Sequence, residues 1–434
     1  MTNQTTLEHW PTVQFKELLR EPLRNGIYKA KEFHGRGQKV VNMGELFEYD
    51  FISNQEMKCV ELNDREKATS LLTDGDLLFA RRSLVLAGSG KCSIIVRPSE
   101  ETTFESSIIR ARLNRHKAHP LFFYYFFRST QGRELMASIA TQTAVSGITG
   151  SDLSLLHVPA LPVRTQEVIA AFLCVYDDLI ENNNRRIKIL EQMAQMLYRE
   201  WLVNFRFPGH EKVKMVESEM GLIPAGWLLK KIGEIAKVKG GKRLAKGKQV
   251  QDSPTTHPYL RVVDMTASGV DLSTLKYIDD ETFRPISRYT ITCSDIYISI
   301  AGTIGRVGIV PSALSGANLT ENAAKITGVK EISIDLLLQY LRSESGQHQL
   351  ASKVVGTSQP KLALFRIDEV LVLVPPESLQ EAVTHFFSAI REQIELFKRK
   401  NWVLRTTRDL LLPKLVSGEV SVETPEEEVF AETV

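Results

Sequence analysis

The sequence predicts two α/β (α+β) globular units in tandem, each followed by a long helix, with the two helices paired as an antiparallel coiled coil. Three observations lead there. Two long stretches keep a heptad rhythm of apolar residues. The chain also repeats itself: Gln166-Glu167 matches Gln380-Glu381, an offset of 214 that aligns Phe172 with Phe386, Ile180 with Ile394 and Leu190 with Leu404. Strand-like segments, finally, recur at comparable places in both copies. A duplication of globular unit plus helix implies pseudo-twofold symmetry.

Residues 1–163 make the first unit. A short amphipathic element runs from Trp10 over residues 10–19, and residues 26–37 are a polar loop holding Lys29, Lys31, His34 and Arg36. Strand-like runs follow at 40–41, 76–79, 93–96 and 108–113, and residues 120–133 read as one helix. Its run Phe122-Phe123-Tyr124-Tyr125-Phe126-Phe127 invites a reading as a base-stacking platform. The repeat favours core packing instead, because the matching stretch is Leu336-Leu337-Leu338-Gln339-Tyr340-Leu341.

Residues 164–207 read as one helix. Ile169, Leu173, Tyr176, Ile180, Asn183, Ile187, Leu190, Ala194, Leu197 and Trp201 fall at alternating steps of four and three, the seam of a coiled coil. Neither Pro nor Gly interrupts it, and Pro208-Gly209 is the predicted stop. At about 1.5 Å per residue the rod is roughly 60 Å long. Asn183 is the polar seam position, of the kind that fixes register. A buried helix of one large domain is the plainer alternative.

The second unit spans residues 208–376. It opens on a charged linker and the junction GLIPAGW (221–227), and continues into the most basic stretch of the chain. There Lys230, Lys231, Lys237, Lys239, Lys242, Arg243, Lys246 and Lys248 stand against the single acid Glu234. Gly240-Gly241 and Gly247 keep the backbone low enough to approach a phosphate. A solvated lysine-rich loop is the bland alternative. Strands are expected at 259–263, 295–300, 306–310 and 370–374. The loop with Thr303 and Arg306, and the loop with Thr357, Ser358, Gln359 and Lys361, combine Gly, short polar side chains and a cation. Such loops can reach base edges. Their first-unit counterparts lie around Lys91 and around Thr141 and Thr143.

The distal helix occupies residues 377–420. Val383, Phe387, Ile390, Ile394, Phe397, Leu404 and Leu411 carry its seam, and Pro413 is expected to stop the helical rhythm. Residues 421–434 hold Glu423, Glu426-Glu427-Glu428 and Glu432, an acidic tail expected to be disordered.

Composition narrows the function classes. The 434 residues are 43% hydrophobic and 24% charged, as in ordinary globular proteins. The net charge of +2 hides an asymmetry: residues 377–434 carry 7 basic against 11 acidic groups, so both globular units are mildly basic. No apolar run is long enough to cross a membrane. The N-terminus lacks signal-peptide character, and the four Cys residues have no metal-ligand spacing, so a cytoplasmic chain with reduced thiols is expected. Gly88-Ser89-Gly90-Lys91 imitates a phosphate loop, but Val85 stands where its first Gly belongs and Cys92 where the magnesium-binding hydroxyl belongs. No protease, esterase, dinucleotide or amino-methyltransferase motif is present. The sequence reads as a binder, with no catalytic and no metal-ligating residue.

At this point three stretches become informative together. They are IAAFLCVYDDLIENNNRRIKILEQMAQMLYREWLVNFRF (169–207), GLIPAGW (221–227) and LLLPKLVSGEV (410–420), with GTSQPKL (356–362) beside them. They resemble the specificity subunits of Type I restriction-modification systems, over nearly the whole chain. The resemblance implies two target-recognition domains, each reading one half of a split, asymmetric site on double-stranded DNA. It implies helices that space the half-sites and dock two adenine-methylating modification subunits, which restriction (translocase and nuclease) subunits join. Methyl donor and ATP would then belong to partner subunits, with no cofactor in this chain. The first unit departs from the pattern, showing Thr141-Gln142-Thr143-Ala144-Val145-Ser146-Gly147 where a GTSQPKL loop is expected. A helical scaffold with two protein-binding domains is the alternative from another class.

Overall fold

The computed structural model describes residues 11–83, 88–141, 146–219, 221–266, 269–356, 359–417 and 419–420; Trp10 and the acidic tail lie outside them. The chain divides into two compact units. The first joins Met1–Leu179 to Val403–Val434, and the second is Ile180–Trp402.

In the first unit a five-stranded sheet runs in the order Arg24–Asn25, Ile108–Ala111, Leu77–Ala80, Cys92–Ile95, Phe51–Ile52. Beside it lies a three-stranded sheet, Cys59–Val60, His34–Val41, Thr102–Phe104, whose last pair is parallel. The second unit repeats the scheme. Lys237–Gly240, Ala323–Thr327, Ile296–Ser299 and Val307–Ile309 form one sheet. Lys276–Ile278, His257–Leu260, Ala317–Leu319 and Thr290–Ile291 form the other, again with a parallel pair between His257–Leu260 and Ala317–Leu319. Leu77–Ala80 and Ile296–Ser299 are buried at every position, which explains why they read as short apolar runs without alternation.

The expected helix over 120–133 is two helices, Pro120–Arg128 and Thr130–Ile139. Ser129 breaks it by adopting an extended backbone and capping the second helix, its Oγ accepting from the Gly132 N–H at 3.1 Å. The second unit has the same break, where Ser343 Oγ accepts from Gly346 N–H at 3.2 Å between Ile334–Arg342 and Glu344–Ser352. Glycine is required three residues after each Ser. A Cβ would lie 2.0 Å from the Phe126 carbonyl oxygen at position 132 and 2.1 Å from the Tyr340 oxygen at position 346. The aromatic run 122–127 is buried throughout, in contact with Phe15 and Phe79, so it is core and no stacking platform.

The central helix is Val163–Tyr198, continued by a π-helical turn Arg199–Val203. It stops short of the expected 207 because Phe205 turns to a left-handed φ of 54° and Phe205 and Phe207 pack on Trp227. The distal helix, Glu377–Ser417, passes through Pro413 where a stop was expected. Pro413 removes one backbone hydrogen bond, but Leu412, Leu415 and Val416 around it are buried in the first unit's core and offset that loss.

Every predicted seam residue is at least half-buried. In the first unit Ile169 and Leu173 share a core with Leu412 and Leu415, with Leu411 against it; Tyr176 and Leu404 are half-buried. In the second, Ile180, Ile187, Val383 and Phe387 are buried. Asn183, Leu190, Leu197, Ile390, Ile394 and Phe397 are half-buried. Two polar residues on the distal helix were not expected there. Asn401, 4% exposed, accepts from Asn183 Nδ2 at 2.8 Å and donates to Asn184 Oδ1 at 2.8 Å. Arg408 pairs with Asp177, which also accepts from the Tyr125 hydroxyl.

Candidate nucleic-acid interface

In the second unit the predicted residues gather at one end of a sheet. Lys237–Gly240 lies beside Ala323–Thr327, and the chain then crosses the strand Ala317–Leu319 so closely that a Cβ on Gly241 would be 2.1 Å from the Thr320 carbonyl oxygen. Only glycine permits the crossing. Lys242 N–H donates to Leu319 O at 2.8 Å, which fixes the start of the basic loop. Ile300 and Ala301 both donate to Asn322 O in the same turn, and Ala301 bridges to Lys361. The loops of Thr303 and of Gln359 therefore adjoin. Val355 and Lys361 close the second loop with mutual backbone hydrogen bonds, across Gly356 at φ 93°.

The cations there differ in engagement. Arg243 Nε donates to Glu321 at 2.7 Å, and Lys248 pairs with Glu281 at 2.7 Å. Burial works against the charge on Glu321, but hydrogen bonds from Arg243 and Thr320 hold its carboxyl below the usual range. Lys239, Lys242 and Lys246 are exposed and have no carboxylate partner among the described residues. Thr303, Gln359 and Lys361 are exposed. Arg306 is not: it is half-buried, with its guanidinium donating to the Met265 carbonyl at 2.5 Å. Thr357 and Ser358 lie outside the described residues.

The first unit has the same frame with different side chains. Gly26 makes the crossing made by Gly241, a Cβ there falling 2.2 Å from the Glu105 and Phe104 oxygens. Ile27-Tyr28-Lys29 follows it, and Tyr28 is 85% exposed. Ser83 pairs with Ser146 and Arg82 with Gly147, so the loops bearing Lys91 and Thr141 adjoin as their counterparts do. Lys91 is half-buried and donates to the Phe47 carbonyl, and burial lowers its pKa. Thr141 donates to the Gly147 oxygen at 3.1 Å. Thr143 lies outside the described residues. Lys31 and Arg36 are exposed on the smaller sheet's side, Arg36 paired with Glu61 at 2.6 Å. Nothing brings them to Lys91 or Thr141 among the described residues. Tyr28 escaped the sequence reading, and Gly241 was singled out there for close approach to a phosphate and not for the strand crossing it shares with Gly26.

A second surface is apolar. On the central helix Phe172, Val175 and Leu179 in the first unit, and Ile189, Met193 and Met196 in the second, are each at least 42% exposed. Their steps of three and four mark a further seam beside the buried one. The repeat carries half of it to the distal helix, where Phe386, Val403 and Leu410 are 51%, 49% and 66% exposed while Ala389, Gln393 and Thr407 stand at the other three matching positions.

These features match known proteins. A family model described as Type I restriction modification DNA specificity domain matches residues 8–192 and again 224–405. The chain is 27% identical, over 91% of its length and 89% of the relative's, to the Type I restriction enzyme MjaIX specificity subunit of Methanocaldococcus jannaschii. It is 28% identical to the EcoKI specificity subunit of Escherichia coli over 54% of this chain and 51% of that one. The crystal structure of the Type I restriction-modification S subunit from M. genitalium shares the fold, with a TM-score of 0.51 at 18% identity over 98% of both chains. With the family's domain present twice and covering most of its length, this chain belongs to the DNA specificity subunits of Type I restriction-modification systems.

Proposed function

We propose that the chain binds a split, asymmetric DNA target, one half-site per unit, and that it does so without catalysing any step itself. The observation that carries this is the shared frame with unlike loops. Gly26 and Gly241 make the same strand crossing, yet one leads into Ile27-Tyr28-Lys29 and the other into Lys242-Arg243. Two readers of one architecture and different side chains suit two different short sequences, about one helical turn apart. Residues 1–163 and 208–376 are the proposed readers, and residues 164–207 and 377–420 the spacers. Within each unit the two long helices run antiparallel, which supports the coiled-coil reading. Asp177 meets Arg408 beyond the core shared by Ile169 and Leu415 in the first, and Asn183 meets Asn401 with Arg186 over Phe397 in the second. The pseudo-twofold symmetry is inferred from the sequence repeat.

The exposed apolar seams support docking of two modification subunits, one per copy of the repeat, with restriction subunits joining them. Methyl donor and ATP are then the partners' ligands. Two charged residues of the central helix, Asp177 and Arg186, support such docking less well, because both are already engaged within their own unit. Asp177 is turned inward to Tyr125 and Arg408, and Arg186 lies 5.6 Å over the Phe397 ring. Replacing Ile189, Met193 and Met196 by Ser should abolish co-purification with the modification subunit while leaving thermal unfolding of the chain unchanged. Replacing residues 1–163 by a relative's should alter one half of the target, read by methylation mapping in cells that carry the partner subunits. A swap that altered both halves would overturn the assignment.

A further inference from the structure

A cavity of about 380 Å³ in the second unit is lined by Lys239, Gly240, Arg288, Tyr289, Thr290, Leu319 and Lys325. Arg288, Tyr289 and Lys325 lie outside the basic stretch 230–248 and enter no assignment above. Lys239 and Lys325 stand directly opposite each other on paired strands, an arrangement that repels unless an anion lies between or beside them. Lys325 is answered by Asp295 at 2.9 Å, and the neighbouring Glu321 by Arg243 at 2.7 Å. Lys239 and Arg288 line the cavity without a carboxylate partner among the described residues, and Lys242, also without one, reaches the ring of Tyr289 that lines it.

Tyr289 organises them. The Arg288 guanidinium lies 5.0 Å from its ring centroid and donates to its hydroxyl at 2.9 Å, and Lys242 Nζ lies 5.8 Å from the same centroid. An aromatic ring that holds two long cationic side chains removes much of their freedom before a ligand arrives. A ring occupied in this way is no platform for a base. It presents positive charge, and the complementary group is a phosphate.

We infer that this cavity seats a backbone phosphate of the DNA bound by the second unit, with Arg288 as its contact and Tyr289 as the positioning residue for Arg288 and Lys242. The inference rests on the reading that this unit binds DNA. The test uses the full chain with its modification subunits and a duplex carrying the target found by methylation mapping, with affinity measured against salt. Arg288→Ala should weaken binding three- to tenfold near 0.1 M salt, for target and unrelated duplex alike, and lower the salt slope by about one. Arg288→Lys should restore the slope. Tyr289→Leu should reproduce part of the loss with unchanged thermal unfolding. ATP and inorganic phosphate, titrated at constant ionic strength, should not compete. An unchanged slope in both Arg288→Ala and Lys239→Ala would overturn the inference and leave the DNA-recognition reading standing. Competition by ATP that Arg288→Ala abolishes would overturn it in favour of a free nucleotide. A wild-type complex that binds no duplex would overturn the recognition reading itself, and this inference with it.

Discussion

Gln166 and Gln380 show how far single residues were legible. Gln166 accepts from the His119 N–H at 2.7 Å and donates to Leu161 O at 2.8 Å and Lys117 O at 3.4 Å. Gln380 accepts from Ser333 at 3.1 Å and donates to Pro375 O at 2.9 Å and Glu331 O at 2.8 Å. Each amide ties the start of its long helix to the loop that precedes a buried helix, Pro120–Arg128 in one unit and Ile334–Arg342 in the other. Replacing either by Ala leaves backbone groups unpaired. Gln166→Ala should cost about 2–4 kcal/mol in chemical denaturation, and Gln380→Ala less because its site is more exposed. The repeat made the pair conspicuous, but the N–H group each amide accepts from lies 47 residues away and no sequence pattern names it. Arg306 is a parallel case: loop composition suggested a base contact, and the fold brings the Met265 carbonyl to its guanidinium from 41 residues away, a partner that no sequence pattern names. Lys398 was not noticed at all. Burial pushes its ammonium down from 10.5 to about 8, aided by Arg342 and opposed by Glu191, Glu395 and Asp271. Between those two values the unfolded chain holds a proton that the folded chain does not, so this group makes stability rise with pH across that window. The rise should be roughly 3 kcal/mol and should vanish in Lys398→Met, as followed by denaturation at pH 8 to 10.5.

At the scale of elements, strands and helices were found nearly in place and their ends were not. Residues 76–79 were expected as a strand and Leu77–Ala80 is one. Short buried strands announce themselves by an unbroken apolar run. Helix ends depend on what lies beyond them, as Trp227 under Phe205 and the core around Leu412 demonstrate. Asn401 and Arg408 occupy seam positions of the distal helix that a search for apolar residues passes over. Continuing the steps of three and four from Phe397 reaches both. Asn401→Leu should destabilise the chain by about 1–2 kcal/mol, because Asn183 and Asn184 lose their partner in a half-buried seam. Combining it with Asn183→Leu should recover part of that loss, and a double-mutant cycle by thermal unfolding measures the coupling.

For the whole molecule, electrostatics at the second unit's sheet end should act on every DNA sequence alike. Replacing Lys242, Arg243 and Lys246 together by Ala should weaken binding to target and non-target duplexes in parallel and flatten the salt dependence by two to three phosphate contacts. Arg243 is the residue to restore first if the effect is smaller, since Glu321 already neutralises it. The duplication itself was legible from residue offsets; four strands of one sheet and three of the other keep their order in both units, while the edge strand Phe51–Ile52 joins the first sheet and Thr290–Ile291 the second.

The first unit's core has a consequence for biosynthesis. Leu412, Leu415 and Val416 pack with Ile169 and Leu173, and Asp177 waits for Arg408, 231 residues downstream. The first unit cannot complete its core until residues 412–416, made after the second unit, have left the ribosome. The second unit has all its parts by residue 402 and can close before it. Folding should thus run against the order of synthesis. A chain truncated before residue 403 should keep a protected second unit in hydrogen exchange while the first exposes its apolar floor to proteases and chaperones.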